Sequence, residues 1–244
     1  MNSDSVDPAR LQLQIADLMQ RVQRYADTDV PLALDEITTG AARLIPGAQY
    51  AAVTVTTDKG TVDTAASTHR YPAILDDVQH NRQEGPCLQA AADQEPIRID
   101  DLERESRWPR YREGALKRTP IRAIMAFPLV SSTHILGTLN VYSDTPDAYD
   151  DEAFDIAQAY ATHATLAWDA LRRKEQFATA LATRDIIGQA KGIIMERYRC
   201  DADHAFGLLT KLSQETNRPL RDVARQLVDA DRPIPDVDDA GANV

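Results

Sequence analysis

The chain has 244 residues, of which 43% are hydrophobic and 27% charged, a balance typical of folded globular proteins. Its two cysteines lie far apart in the sequence, which argues against a disulfide framework and against a zinc ribbon. No charged and then apolar leader is present, and no apolar run approaches the length of a membrane span. We therefore expect a cytoplasmic protein without a membrane partner.

The charge is distributed unevenly along the chain. The formal net charge is −11, and residues 1–171 hold 15 Lys and Arg against 26 Asp and Glu. Residues 172–228 hold 11 Lys and Arg against 7 Asp and Glu, a net charge of +4, and residues 229–244 are again acidic. Because a binding partner feels the field of the surface that it contacts, residues 172–228 are the segment suited to a nucleic-acid backbone.

The N-terminal part of the chain predicts two helices and then a hairpin. Apolar residues recur at spacings of three and four over residues 9–27 and again over 31–44, which predicts two amphipathic helices. The period then changes to two over residues 50–57 and 60–68, on either side of a turn signature at 58–60. This pattern predicts a β-hairpin.

Further strands and connecting segments follow up to residue 143. Alternating β-branched residues predict one short strand and then two strands around a short turn. The sequence between them predicts short helices or irregular connections. In chain order we expect a helix over 71–84, an irregular stretch opening at 85–87, a strand within 95–102, a helix or irregular connection over 107–118, and strands over 121–130 and 134–143.

A helical period returns at Asp150. Six residues spaced three and four apart form a heptad seam, namely Phe154, Ala157, Ala161, Ala164, Trp168 and Leu171. Such a seam suits a coiled coil with a second chain or packing of the helix along its own sheet, and one helix can do both with different faces. Together, residues 28–171 predict an antiparallel sheet with helices on its faces, a three-layer α+β domain that follows a helix in residues 1–27.

Three short helices are predicted in the basic segment, over residues 181–200, 201–217 and 218–230. Asp201 is a suitable N-cap and Asn217 a C-terminal signal. So small a bundle is expected to lean on the preceding helix or on a second chain. The residues expected to face inward are Ile187, Ala190, Ile194, Tyr198, Ala205, Leu208, Leu209, Leu212, Leu220, Val223, Ala224 and Leu227. The acidic tail, residues 231–244, is expected to be disordered.

Several short motifs cluster in residues 183–229. They are a helix that begins at Arg184, "AKGIIM" at 190–195, Ala205-Phe206, Ser213 after the leucines of the second helix, and "LRDVA" at 220–224. With these motifs the segment resembles the ANTAR domain, the RNA-binding module of bacterial transcription antitermination regulators. It departs from the family at Thr210, where relatives often carry a basic residue. The resemblance implies that a dimer recognises paired stem-loops and keeps a terminator hairpin from forming.

The upstream region carries a second set of motifs, "EGPCLQA" at 84–90, "AIMAFPLV" at 123–130 and "LGTLNVYS" at 136–143. These resemble a GAF sensor domain of the subtype that precedes ANTAR modules in actinobacteria. The resemblance implies a sensor of a small molecule or another signal, which the sequence does not name. The expected order is therefore a GAF domain over 28–171, an ANTAR domain over 172–230 and the acidic tail.

Small residues interrupt the first helix of the basic segment. Gly188, Ala190 and Gly192 remove side-chain bulk, although glycine costs a helix about 1 kcal/mol relative to alanine. Two interpretations stay open. Another helix packs closely there, or a sugar-phosphate backbone approaches with Lys191 near a phosphate.

Arg218, Arg221 and Arg225 are spaced three and four residues apart around the start of the third helix. They form either a solvated charged face or an RNA contact. Combined with the ANTAR resemblance, they complete a candidate set of RNA-binding residues. The set is Arg184, Gly188, Ala190, Lys191, Gly192, Ser213, Asn217, Arg218, Arg221 and Arg225.

Other chemistry finds less support in the sequence. Cys87 follows a proline and precedes a helix-like run, so it is a candidate redox or ligand sensor if a helix N-terminus lowers its pKa; a buried, inert cysteine is the alternative. The five histidines show no metal-ligand spacing, and we find no phosphate loop or nucleophile elbow. We expect no metal and no enzyme. A DNA-binding helix-turn-helix protein remains the main rival, and a Cys87-based redox enzyme the lesser one.

Overall fold

The computed structural model describes residues 8–25, 30–56, 61–131 and 135–230. The predicted hairpin turn at 58–60 and the predicted tail at 231–244 lie outside these residues. The chain divides into two compact units, Met1–Arg172 and Arg173–Val244. The elements are α1 (Pro8–Tyr25), α2 (Val30–Leu44), β1 (Tyr50–Thr56), β2 (Val62–Ser67), α3 (Arg70–Arg82), α4 (Pro86–Asp93), β3 (Ile97–Ile99), α5 (Pro109–Arg118), β4 (Ala123–Val130), β5 (Ile135–Ser143), α6 (Asp151–Tyr198), α7 (Ala202–Thr216) and α8 (Leu220–Ala230).

The first unit is built on one antiparallel sheet with the strand order β2-β1-β5-β4-β3. Both predicted hairpins form, since β1 pairs with β2 and β4 pairs with β5. The first and last strands of the order are the short β2 and β3, and the longest pairing joins β4 to β5 in the interior. The expected α+β architecture is confirmed.

Alternate residues of the strands point to two separate cores. In β1, Ala51 and Val53 join the core shared with α1, α2 and α6, whereas Ala52 joins the core under α3, α4 and α5. In β4, Phe127 faces the first core and Ala126 the second. Because helices cover both faces, the interior strands read as almost continuous apolar runs.

One short helix departs from the sequence prediction. The stretch opening at Gly85 was expected to be irregular, but α4 runs from Pro86 to Asp93. Pro86 stands in its first turn, where the missing proline N–H has no helical partner to lose. Gly85 before it has a φ of 147°, which side chains rarely permit.

The heptad seam of α6 packs within the first unit. Ala157, Ala161, Ala164, Trp168 and Leu171 are all buried in the core that α6 shares with α1, α2 and the sheet. Of the two interpretations of the seam, the structure shows packing of the helix along its own sheet. Because these side chains are already buried, they are not available for a coiled coil with a second chain.

Helix α6 is a single helix from Asp151 to Tyr198, where the sequence predicted two. In the second unit its C-terminal turns pack with α7 and α8. The core of this unit consists of Ala190, Ile194, Ala205, Leu209, Val223, Ala224 and Val228. Among the described residues of the second unit there are helices and turns but no strands.

Three residues predicted to face inward in the second unit do not. Tyr198 is 71% exposed, Leu208 37% and Leu212 47%. The bundle is too small to enclose a wide apolar stripe from each helix, and Val228 of α8 contributes to the core instead.

None of the helices in the described ranges combines the length and hydropathy that crossing a membrane would require.

Candidate functional site

Local hydrogen bonds fix the ends of α7 in the second unit. The Asp201 carboxylate caps the helix by accepting from the His204 backbone N–H at 2.8 Å, as expected. At the other end Asn217 adopts the left-handed conformation, with a φ of 51°. These two caps fix the residues at which α7 begins and ends, and the turn into α8 follows directly after Asn217.

The turn between α7 and α8 is closed by Ser213 and Arg218. The Ser213 hydroxyl donates to the Arg218 carbonyl oxygen at 2.5 Å, and the Arg218 N–H donates to the Ser213 carbonyl at 3.1 Å. Ser213 therefore has a structural role in the free protein. Its predicted contact with RNA stays a prediction.

The three arginines around the start of α8 are all exposed. Arg218 donates from Nη1 to the Gln226 side-chain oxygen at 2.7 Å, and Arg221 lies 3.5 Å from the carboxylate of its neighbour Asp222. No ion pair involving Arg225 is found in the described part of the chain. Exposed contacts of this kind are weak, so the guanidinium groups can be drawn to a stronger anion.

The small residues of α6 divide into two kinds. Ala190 is completely buried in the core of the second unit, so its small size serves helix packing. Gly188 and Gly192 are exposed, and a Cβ atom added to either would meet no atom within 4 Å. The packing interpretation therefore applies to Ala190, and the two glycines expose bare backbone.

Two cations lie on α6 beside these glycines. Arg184, one turn before Gly188, is exposed. Lys191 is half-buried, and its Nζ atom approaches the ring of Phe206 on α7, 5.8 Å from the ring centroid. The second unit thus presents cationic side chains from α6 and α8 together with helix backbone free of side chains.

An apolar groove of about 690 Å³ also lies within the second unit. The side chains predicted to be buried but found exposed contribute to it. Its lining includes Ile194, Tyr198, Cys200, Leu208, Leu212 and Leu227. Helical periodicity places Tyr198, Leu208 and Leu212 on the apolar faces of their helices, but it does not say that the bundle leaves them exposed.

In the first unit, Cys87 stands in the first turn of α4, at the helix N-terminus that the sequence predicted. It is fully buried, and its thiol donates to the Asn140 side-chain oxygen at 3.1 Å. Burial, together with the nearby charge of Asp76, raises the pKa of this thiol. A reactive cysteine requires a lowered pKa and access, so neither condition for the predicted redox chemistry is met.

Asp76 of α3 is a buried carboxyl group that the sequence analysis did not single out. Its oxygens accept hydrogen bonds from the hydroxyls of Thr54 at 2.9 Å and Thr64 at 2.6 Å. A third bond comes from the Gln79 amide at 3.2 Å. These three donors are all neutral. Burial raises the pKa of Asp76 to about 6, although the hydrogen bonds act in the opposite direction.

Hydrogen bonds connect Asp76 to Cys87 through one side chain, Gln79. The Gln79 amide donates both to Asp76 and to the Cys87 sulfur, the latter at 3.0 Å, while its oxygen accepts from the Cys87 backbone N–H at 2.8 Å. Asn140 completes the path by donating to Thr54 at 2.9 Å. The cluster therefore joins α3, α4, β1, β2 and β5. The described ranges contain no group of three or more His, Cys, Asp or Glu side chains able to hold a metal ion.

Comparison with protein-family models identifies both parts of the chain. Residues 27–169 match the GAF domain, which is more than half of the sequence, so the chain belongs to the GAF family. Residues 175–228 match the ANTAR domain. The protein therefore has the GAF–ANTAR architecture, with a regulatory GAF domain followed by an ANTAR domain, and both resemblances read from the sequence are confirmed.

Solved structures share the fold of the first unit at low sequence identity. A bacteriophytochrome from the photosynthetic bacterium R. palustris matches with 14% identity and a TM-score of 0.57, over 78% of this chain and 43% of that one. The free methionine-R-sulfoxide reductase from Neisseria meningitidis matches with 13% identity and a TM-score of 0.52, over 71% and 98%. At such identities the likeness concerns the fold alone. No curated protein matches the chain.

Proposed function

We propose that this protein is a cytoplasmic transcription antitermination regulator that binds RNA stem-loops as a homodimer through its ANTAR domain. The GAF domain receives a signal, and RNA binding prevents a terminator hairpin from forming. The observation that carries the proposal is the exposure of Arg218, Arg221 and Arg225 in the segment that matches the ANTAR domain. We assign these arginines and the bare backbone of Gly188 and Gly192 to one RNA-binding surface.

The charges support an RNA partner in spite of the net charge of the whole chain. Residues 172–228 carry a net charge of +4, whereas the chain as a whole carries −11. A phosphate backbone responds to the local surface, and neutralising its charges releases counterions. The long acidic remainder of the chain limits non-specific adhesion to nucleic acid and leaves this surface as the one suited to RNA.

A homodimer is supported by apolar side chains that stay uncovered on α6. Phe177 is 67% exposed and Leu181, one turn later, is 43% exposed. Exposed apolar residues at this spacing suit contact with the same helix of a second copy. A signal can control such a dimer only if the signal binds or stabilises one arrangement of the two copies more than another. We propose that α6 changes between these arrangements, because it carries the apolar residues of the dimer contact.

We propose no enzymatic activity for the GAF domain, since both matched domains are regulatory and the Cys87 thiol is buried with a raised pKa. The signal is not identified by the described residues. We propose that the GAF domain receives its signal by binding or by a conformational change and not by oxidation of the Cys87 thiol.

The test is a salt series of RNA binding with charge variants of the full chain. Arg221→Ala and Arg225→Ala should each weaken binding to tandem RNA hairpins and lower the slope of log K against log salt by roughly 1. Lys117→Ala removes an exposed charge from the GAF domain and is the matched control. Equal binding by all three variants would refute the proposed surface. Stronger binding to duplex DNA than to the hairpins would favour the helix-turn-helix alternative.

A further inference from the structure

We propose that Phe206 is the stacking platform for an unpaired RNA base, and that the ammonium group of Lys191 completes this base site. The inference rests on the proposed RNA-binding function and assigns a residue that the predicted RNA-binding set does not contain. The exposure of the ring and the position of the cation support it.

Phe206 does not belong to the core of the second unit, because the helical period turns it away from the buried face of α7. Its neighbour Ala205 is completely buried in that core, and Leu209 is 1% exposed. Phe206 lies between these two positions in sequence but is 43% exposed. A large aromatic ring held at the surface of a small domain is available to a partner.

Lys191 adds a positive charge at this ring. Its Nζ atom lies 5.8 Å from the Phe206 ring centroid, within the range of a cation–π contact. The ring also stays 43% exposed, so part of it is open to a base. The ammonium group of Lys191 then lies close enough to the bound nucleotide to attract its phosphate.

Each of these two residues is followed by a glycine, Lys191 by Gly192 and Phe206 by Gly207. A Cβ atom added to either glycine would meet no protein atom within 4 Å. Neither glycine is therefore required by packing in the described chain, although each weakens its helix. These exposed glycines let a sugar-phosphate backbone approach α6 and α7 closely next to the residues of the base site in sequence.

The chemistry favours a base over a protein side chain as the occupant. Proteins recognise RNA chiefly in loops, where unstacked bases can lie on aromatic rings, and every base has a face that can stack. The ammonium group of Lys191 is complementary to the phosphates on both sides of such a base. We therefore assign the site to an unpaired nucleotide in the loop of a stem-loop.

The experiment compares four side chains at position 206 of the full-length protein. Phe206→Ala and Phe206→Leu remove the ring, the latter while keeping an apolar side chain, whereas Phe206→Tyr keeps the ring. Binding to tandem RNA hairpins should weaken about 5-fold to 100-fold in the Ala and Leu variants and stay close to the parent value in the Tyr variant. Thermal unfolding checks that the exposed substitutions leave the fold intact.

A second readout tests stacking directly. In hairpins that carry 2-aminopurine at successive loop positions, the parent should quench the fluorescence at one position, and Phe206→Leu should not. Parent-like binding and quenching by Phe206→Leu would overturn the inference while leaving the proposed function in place. A change of oligomeric state in Phe206→Leu would also overturn it, because the ring would then belong to a contact between copies. Failure of the parent to bind any hairpin would overturn the proposed function, and this inference with it.

Discussion

The two units of this chain use their apolar residues differently. In the first unit, the side chains that periodicity marks as inward, from the strands to the seam of α6, are buried in two cores on either side of a sheet. In the second unit, Tyr198, Leu208 and Leu212 carry the same sequence signal and remain exposed. A sheet with helices on both faces completes its own packing, whereas a bundle of two short helices and the last turns of α6 does not. Surface left open in a unit of this kind is surface available to partners.

The largest expected effect compares two adjacent leucines of α7. Leu209 is 1% exposed and Leu208 is 37% exposed. Leu209→Ala should destabilise the second unit by about 2–5 kcal/mol, because it leaves a cavity in a very small core. Leu208→Ala should change the free energy of unfolding by less than about 1 kcal/mol. Chemical denaturation followed by circular dichroism measures both. Equal losses would show that the groove beside Leu208 is closed in solution.

The next effect compares two buried carboxyl groups of the first unit. Asp76 has neutral donors and a pKa raised from 3.8 to about 6, whereas Asp101 contacts Arg122 and its pKa is lowered. At a pH between the unfolded and the folded pKa of Asp76, the native state binds more protons at this carboxyl group than the unfolded state does. Stability should therefore fall as the pH rises from about 4 to about 6. The total attributable to Asp76 is about 3 kcal/mol.

Unfolding measured against pH isolates this contribution. The Asp76→Asn side chain cannot titrate. As the pH rises from about 4 to about 6, the parent should therefore lose stability relative to this variant. Asp101→Asn is the control with the opposite sign. The stability that Asp101 gives is present above its unfolded pKa and is lost as the pH falls through its lower folded pKa. A pH-independent difference between the parent and Asp76→Asn would show that the carboxyl group is hydrated.

The smallest effect compares glycines in two helices. Gly192→Ala should stabilise the second unit by up to about 1 kcal/mol, because alanine is the better helix former and its Cβ meets nothing. Gly40→Ala in α2 should destabilise the first unit, since its Cβ would lie 2.5 Å from a Leu18 methyl group and from the Tyr160 hydroxyl. Melting temperatures measure both. A destabilising Gly192→Ala would reveal a packing contact at that glycine.

Most of the fold was predictable because its signals are local. Period-two alternation gives both hairpins, and three–four spacing gives α1 and α2. The prediction of an irregular stretch at 85–87 was wrong because a glycine and a proline mark the start of α4, and the same residues also mark irregular turns. The continuity of α6 was missed because residues 173–180 are all exposed, so no apolar stripe joins its two halves.

The sites were less predictable because they depend on distant parts of the chain. The Asp76 cluster brings together Thr54, Cys87 and Asn140, and no spacing in the sequence indicates that they meet. Cys87 was placed correctly at a helix N-terminus, but its burial comes from the folded sheet. The RNA-binding set came from the resemblance and from helical spacing, and it remains a prediction. Periodicity identifies an apolar face but gives no measure of how much of that face the fold covers.

The unequal burial of the two thiols has a practical consequence for spectroscopy. Cys87 is enclosed in the GAF core, whereas Cys200 is half-buried and lines the groove of the ANTAR domain. A maleimide dye added to the native wild-type protein should therefore attach selectively at Cys200. Fluorescent labelling at one defined position then needs no engineered cysteine, and the dye reports on whatever enters the groove.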